Sequence, residues 1–125
     1  MGEYTGFGWV RIFGKTYNYD IVICKGKVLA RRKNLSRAYR ERYGHTPLSE
    51  LELDEYLKEC GKPEIIVIGT GVYGALPLTP EAKELLNKLT NMGIKVVIEK
   101  TNDTLIKIIE NLKDRKILVV IHTTC

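Results

Sequence analysis

The stretch Ile65-Ile66-Val67-Ile68-Gly69-Thr70-Gly71-Val72-Tyr73-Gly74 joins a run of aliphatic residues to glycines with the spacing G-x-G-x-x-G. A short apolar run that ends at turn residues is typical of a strand buried on both faces, as in a parallel sheet. We therefore predict a strand over 64–69 that leads directly into a tight glycine-rich loop.

Helix signals stand on both sides of this strand. Ser49 and Glu52 form the capping-box pattern S-x-x-E, which predicts a helix that ends near Gly61. Thr79-Pro80 supplies an N-cap followed by proline at the first helical position, and the helix it opens ends at Gly93. The predicted buried faces, including that of a third helix, are Leu53, Tyr56, Leu57 and Cys60; Ala82, Leu85, Leu86 and Leu89; and Leu105, Ile108, Ile109 and Leu112.

Two further apolar strands, 94–99 and 116–122, complete the order α-β-α-β-α-β from residue 49 onwards. Helix-connected apolar strands favour a parallel sheet that is covered on both faces. The first third reads as strands over 9–13, 16–24 and 27–30, with Lys25-Gly26 as a tight turn before the last of them. This front meander must add antiparallel strands to the sheet or pack on it. We predict one α/β domain over 1–125.

The composition is that of a soluble globular protein, with 44% hydrophobic and 28% charged residues. No apolar run approaches the roughly 20 residues of a membrane span, and the beginning of the sequence has no secretory signal. We therefore expect a cytoplasmic protein that does not enter a membrane. Glutamine is absent while Lys, Glu and Ile are abundant, a composition that leans towards a thermophile.

Three cysteines, Cys24, Cys60 and Cys125, are odd in number and widely spaced. They do not indicate a disulfide framework, and no C-x-x-C pair suggests zinc. We expect Cys60, on the apolar face of its helix, to act as a small buried hydrophobic residue.

Positive charge is concentrated in the first part of the chain. Residues 1–47 hold ten Lys and Arg against three Asp and Glu, within an overall net charge of +5. A basic patch of this kind could attract nucleic acid or an acidic protein surface. A solvated basic face is the favoured interpretation, and we do not expect nucleic acid because no binding signature accompanies the charges. The partner-binding candidates are Arg37, Arg40 and Arg42.

The carboxyl ends of parallel strands meet at one edge of a sheet, where ligands usually bind. That rule gathers the 69–74 loop, the end of strand 94–99 and the segment 122–125. The ligand-binding candidates are Gly69, Thr70, Gly71, Tyr73, Gly74, Glu99, His122 and Cys125.

The glycine spacing resembles a dinucleotide fingerprint, but the helix of such a site begins within the glycine motif. Here the helix begins only at Thr79-Pro80, so we expect no dinucleotide and no other cofactor. The alternative interpretation is that the glycines serve only to allow a close turn. His122 and Cys125 could form a catalytic pair, but a terminal carboxylate on Cys125 would disfavour its thiolate. We expect a hydrogen-bonded structural role for His122, and too few donors for a metal.

Several short motifs together resemble a known family. They are Phe7-Gly8-Trp9, Gly69-Thr70-Gly71, Ala75-Leu76 with Pro80, and the segment His122-Thr123-Thr124-Cys125. This pattern is similar to the small domain family that includes the adipogenesis-associated protein and the mitochondrial respiratory complex I assembly factor. The resemblance implies a compact three-layer α/β domain with a mixed sheet, no established enzymatic activity, and assembly or regulatory roles exercised through protein partners.

Two functional hypotheses follow. The first is a non-enzymatic protein-interaction or assembly module, acting on an unknown protein partner. The second is a small-molecule or anion-binding protein that uses the 69–74 loop, and this hypothesis leaves enzymatic activity open. An exposed edge strand would also permit a homodimer.

Overall fold

The computed structural model describes residues 2–43 and 45–125. Its strands are β1 (Thr5–Gly6), β2 (Trp9–Ile12), β3 (Lys15–Tyr17), β4 (Ile21–Cys24), β5 (Lys27–Ala30), β6 (Ile65–Thr70), β7 (Lys95–Glu99) and β8 (Ile117–His122). Its helices are α1 (Arg40–Tyr43), α2 (Glu50–Cys60), α3 (Pro80–Asn91) and α4 (Asp103–Asn111), preceded by the 3-10 turns Lys33–Leu35 and Arg37–Tyr39.

The main sheet has five strands in the order β5-β4-β8-β6-β7. Strand β6 is parallel to both β7 and β8, and β4 is antiparallel to β5 and β8. The front of the chain therefore does both things that the sequence allowed. Strands β4 and β5 extend the sheet, while β1–β3 form a separate antiparallel meander. The predicted α/β class, with a front meander and a mixed, partly parallel sheet, is confirmed.

Each face of the sheet has its own core. Side chains of one face, such as Ile66 and Val120, pack with Leu53 of α2 and Leu86 of α3. Those of the other face, such as Val67, pack with α4 and with Val10 and Ile12 of the meander. The result is three layers, because alternate residues of each central strand point to opposite faces.

The local signals for helix starts and turns are confirmed. The Ser49 hydroxyl accepts the amide of Glu52 at 3.3 Å, and the Thr79 hydroxyl accepts the amide of Ala82 at 3.1 Å. The Lys25-Gly26 turn joins β4 to β5 with φ angles of 51° and 71°, as a type I′ hairpin turn requires.

Three details differ from the prediction. The strand expected over 16–24 is interrupted by a bend at 18–19, and Asp20 follows this bend immediately before β4. Strand β7 is one of the two edge strands of the main sheet. Its residue Ile98 is 45% exposed, so this strand is not covered on both faces. In α4, Ile106 is buried while Ile108 is 44% exposed, since the meander covers a face rotated from the expected one.

The cysteine prediction was wrong. Cys24 and Cys60 form a disulfide with their Cα atoms 5.8 Å apart. The ends of β4 and α2 meet because α2 packs on the sheet face that contains Cys24. A separation of 36 residues carries no local signal for such a pairing.

Within the described residues, the structure contains no helix of the length and apolar character that a membrane crossing requires.

Candidate functional site

The structure brings the glycine-rich loop and the segment 122–125 together at the carboxyl edge of the sheet. The Val72 amide donates to the Thr124 carbonyl at 2.7 Å. The amides of Tyr73 and Ala75 both donate to the Cys125 carbonyl, at 3.0 and 2.9 Å. These loop amides are therefore paired inside the chain, in the place where a dinucleotide loop would bind phosphate oxygens.

The glycines of this loop allow close packing. A Cβ atom on Gly71, which has φ +100°, would lie 2.3 Å from the carbonyl carbon of Cys125. A Cβ on Gly69 would lie 2.7 Å from the Thr101 hydroxyl. That hydroxyl accepts the Gly71 amide at 2.9 Å and donates to the His122 carbonyl at 2.9 Å, so Thr101 ties the loop to β8.

The remaining loop candidates are spread over this edge. Tyr73 is 70% exposed, and its ring centroid lies 6.3 Å from that of Phe7. Glu99 is exposed, and its carbonyl accepts the Thr70 hydroxyl at 3.1 Å. Cys125 is half-buried with a free thiol.

His122 belongs to a polar cluster on the β4 side of β8, whereas the glycine-rich loop follows β6 on the other side. Its Nδ1 lies 2.7 Å from Oδ2 of Asp20, whose side chain is 2% exposed. The amide and hydroxyl of Thr123 both donate to Oδ1 of Asp20, at 2.9 and 3.0 Å. Burial raises the pKa of Asp20. The hydrogen bond and charge of His122, together with the Thr123 amide, lower it by more, so the net pKa lies well below its ordinary value.

Arg31 connects the pair of His122 and Asp20 to a second buried carboxylate. Its guanidinium, 0% exposed, donates to Glu52 through Nε at 2.7 Å and Nη2 at 3.0 Å, and to Asp20 through Nη1 at 3.0 Å. Nη2 also donates to the Pro47 carbonyl at 2.7 Å. Burial lowers the pKa of Arg31, but Glu52 and Asp20 raise it by more. The guanidinium thus stays charged while fully enclosed.

The second carboxylate, Glu52, is itself fully hydrogen-bonded. The hydroxyls of Ser36 and Tyr56 donate to it, the former at 2.7 Å. Burial, followed by the charge of Glu52, raises the pKa of Tyr56 and keeps the phenol protonated. Among the described residues, every buried side-chain nitrogen and oxygen has a hydrogen-bond partner. A buried charge cluster is stable only under that condition.

A small basic cavity of about 250 Å³ opens above this cluster. Cationic side chains and imidazoles dominate its lining, which consists of Lys33, Arg37, Arg40, His45 and His122 with the hydroxyls of Thr46 and Thr124. Among the side chains that the structure describes, no carboxylate lines it. Asp20 lies beneath it, with Oδ2 3.6 Å from Nζ of Lys33. The cavity therefore presents positive charge and hydroxyl donors to a bound molecule.

This arrangement joins candidates that the sequence kept apart. Arg37 and Arg40 line the same cavity as His122, whereas Arg42 is exposed elsewhere. Sequence reasoning missed Asp20, Arg31 and Glu52 as site residues. The loop position of His45 allowed an approach to this edge without showing it, and the structure places His45 in the cavity lining.

One signal for the missed pair existed in the hairpin. Ile21 pairs with Ala30 across β4 and β5, so Asp20 and Arg31 are the next residues in register. The capping box, by contrast, concealed the role of Glu52, because its carboxylate binds Arg31 and Ser36.

The fold and the site define a mixed-sheet α/β domain whose carboxyl edge holds a buried ion-pair cluster beneath a basic cavity. The chain belongs to the family described as "Protein of unknown function (DUF498/DUF598)", whose model matches residues 3–105.

Solved structures agree with this family assignment. The conserved hypothetical protein PH1505 from Pyrococcus horikoshii OT3 is 36% identical, with a TM-score of 0.75 and 98% of each chain covered. The protein MT938 is 32% identical, with a TM-score of 0.71 over 100% of this chain and 98% of its own. An outer membrane protein from Bartonella henselae shares the fold at 17% identity, with a TM-score of 0.64 over 98% of this chain and 93% of its own. No curated protein matches the chain.

Proposed function

We propose that this protein binds a small oxyanion-bearing molecule, such as a phosphate ester or a carboxylate, in the basic cavity. The observation that carries the proposal is the convergence of Lys33, Arg37 and Arg40 with two imidazoles on one cavity. Arginine forks bind phosphate and carboxylate oxygens through paired N–H groups. A volume of about 250 Å³ lies below the usual range of ligand pockets, which favours a small molecule.

The buried cluster holds the floor of this cavity in place. An ionised Asp20 can only accept hydrogen bonds, so Nδ1 of His122 carries the proton that faces it. Nε2 is then directed to the Thr124 hydroxyl, 3.2 Å away, and both groups line the cavity. In this position His122 can accept or donate a proton at the bound molecule, and the Asp20 carboxylate fixes its orientation.

Calorimetric titration with inorganic phosphate, methyl phosphate and acetate at low ionic strength tests the proposal. Replacing Arg37 and Arg40 together with glutamine should weaken binding by about tenfold or more, since two charge-assisted contacts are lost. Arg42→Gln is the matched control, because it removes the same charge from the same segment outside the cavity. Equal loss in the control would reduce the effect to general charge, and no binding by the unaltered protein would refute the proposal.

A protein-interaction or assembly role, as in the adipogenesis-associated protein and the complex I assembly factor, is the second candidate. Besides the family resemblance, the exposed aromatic pair Phe7 and Tyr73 favours it, since exposed aromatics are common at interfaces. The open edge of β7 also suits a homodimer. Native mass spectrometry should then show complexes that disappear when both Phe7 and Tyr73 are replaced with serine, or Ile98 with lysine for the homodimer. A monomer in every sample would remove this candidate.

A further inference from the structure

Two strained residues face the same cavity at the opposite, amino edge of the sheet. In the described part of the chain, Phe13 (φ 53°) and Lys25 (φ 51°) are the only non-glycine residues with positive φ. Both line a cavity of about 520 Å³. The two residues lie in different hairpins, so their meeting is a tertiary feature.

Folding alone does not explain these side chains. Each occupies the first central position of a tight turn, followed by Gly14 (φ 77°) or Gly26 (φ 71°) at the second. Such turns favour Asn, Asp or Gly at both positions, because a bulky side chain is strained in the left-handed region. Strained residues cluster at ligand sites, where the surrounding structure holds them for function. Phe13 is held in this way, since its amide donates to Oε2 of Glu110 at 2.9 Å.

The floor of this cavity is apolar. It is formed by Ile23, Ile117, Pro63 and Cys60 at the ends of β4, β8 and α2. Phe13 stands at its margin with 42% of its surface exposed, so the ring is available to cover an apolar molecule. The volume falls within the range of small-molecule pockets.

The rim of the same cavity is cationic. Lys25, Lys62, Lys113 and Lys116 line it together with Arg115. Arg115 forms an ion pair with Glu64, in which Nη2 lies 3.4 Å from Oε2. Among the described side chains, none of the four lysines is within ion-pair distance of a carboxylate. An apolar floor beneath unpaired cations is complementary to a molecule with a hydrocarbon chain and a negative head group.

We infer that this cavity binds a monomeric amphiphilic anion of the fatty-acid class. The hydrocarbon chain of this ligand lies on Ile23 and Ile117 beneath Phe13, and its carboxylate binds Lys25 and the neighbouring lysines. The strain at Phe13 and Lys25 is then retained because the two turns deliver one apolar and one cationic group to the same ligand.

Calorimetric titration with decanoate below its micellar concentration tests this inference. Acetate supplies the head group alone and decanol the chain alone, and both should bind about tenfold or more weakly than decanoate. Phe13→Asn and Lys25→Asn should each weaken decanoate binding by about tenfold. Asparagine suits the left-handed conformation, so neither variant should lower the melting temperature.

Matched controls separate the site from general charge. Lys27→Asn removes a lysine two positions from Lys25, outside the cavity, and should leave decanoate affinity unchanged. A double variant, Lys113→Gln with Lys116→Gln, should also lose decanoate binding. It changes two exposed residues that lie outside the strained turns. Absence of decanoate binding, equal affinity in Phe13→Asn and the unaltered protein, or a preference for anionic lipid vesicles over monomeric decanoate would each overturn the inference.

Discussion

The two edges of the central sheet both carry positive charge, but they use it differently. At the carboxyl edge, Arg31 is fully buried between Asp20 and Glu52, and the basic cavity lies above that cluster. At the amino edge, lysines remain at the surface around an apolar floor. The comparison teaches that buried, paired charge stabilises the fold, whereas unpaired charge beside a cavity is available for a ligand.

The largest expected effect is the loss of Arg31. Arg31→Met should reduce the free energy of unfolding by about 3–5 kcal/mol, because two carboxylates are left buried without their cation. Urea denaturation measures this loss. Arg115→Met at the opposite edge is the control, because its pair with Glu64 is exposed and its removal should have no measurable effect. A small loss for Arg31→Met would show that the cluster does not stabilise the fold.

The next effect concerns the disulfide between Cys24 and Cys60. A reductant should lower the free energy of unfolding by about 3 kcal/mol, since reduction frees a long loop in the unfolded chain. Denaturation with and without dithiothreitol measures the change. Cys24→Ala should be indifferent to the reductant, and an equal response in that variant would exclude the disulfide as the cause.

The glycine-rich loop gives a third test at the carboxyl edge. Gly71→Ala should destabilise the protein by about 2 kcal/mol more than Gly93→Ala, because of overpacking. Both glycines have positive φ, at 100° and 94°, but only Gly71 faces the Cys125 carbonyl while Gly93 faces open space. Equal thermal denaturation of the two variants would contradict the role of close packing.

The pH dependence of stability follows from Asp20. Its folded pKa is depressed, so its stabilising contribution is present above the ordinary carboxyl pKa of about 3.9 and is lost as the pH falls below that value. Urea midpoints at pH 7, 5 and 3 should therefore fall most steeply in the last interval. Asp20→Asn should flatten this fall and leave only the smaller contributions of Asp103 and Glu64, whose pKa values are also lowered. An unchanged profile in the variant would contradict this assignment.

The smallest expected energetic effect, about 1.4 kcal/mol for each tenfold change in affinity, distinguishes the two cavities. The double variant of Arg37 and Arg40 should lose phosphate and keep decanoate, whereas Lys25→Asn should do the reverse. Parallel titrations check this. Loss of both ligands in either variant would show that the edges do not act independently.

Much of the fold was predictable because its signals are local. The hydroxyls of Ser49 and Thr79 mark two helix starts, and Lys25-Gly26 marks the β4–β5 turn. The carboxyl-edge rule correctly placed the 69–74 loop beside His122. The buried face of α4 was not predictable in the same way, because Ile106 and Ile108 are equally apolar and only the meander determines which of them is covered.

The sequence by itself determined most of the elements, their order and the edge at which the candidate residues gather, since periodicity, capping and turn chemistry act over a few residues. Only the tertiary structure decided what those residues contact. It paired the amides of the glycine-rich loop with carbonyls of segment 122–125, enclosed Arg31 between two carboxylates, and brought Phe13 and Lys25 to one cavity. These contacts join residues distant in the chain, and their geometry is set by the packing of helices and meander on the sheet.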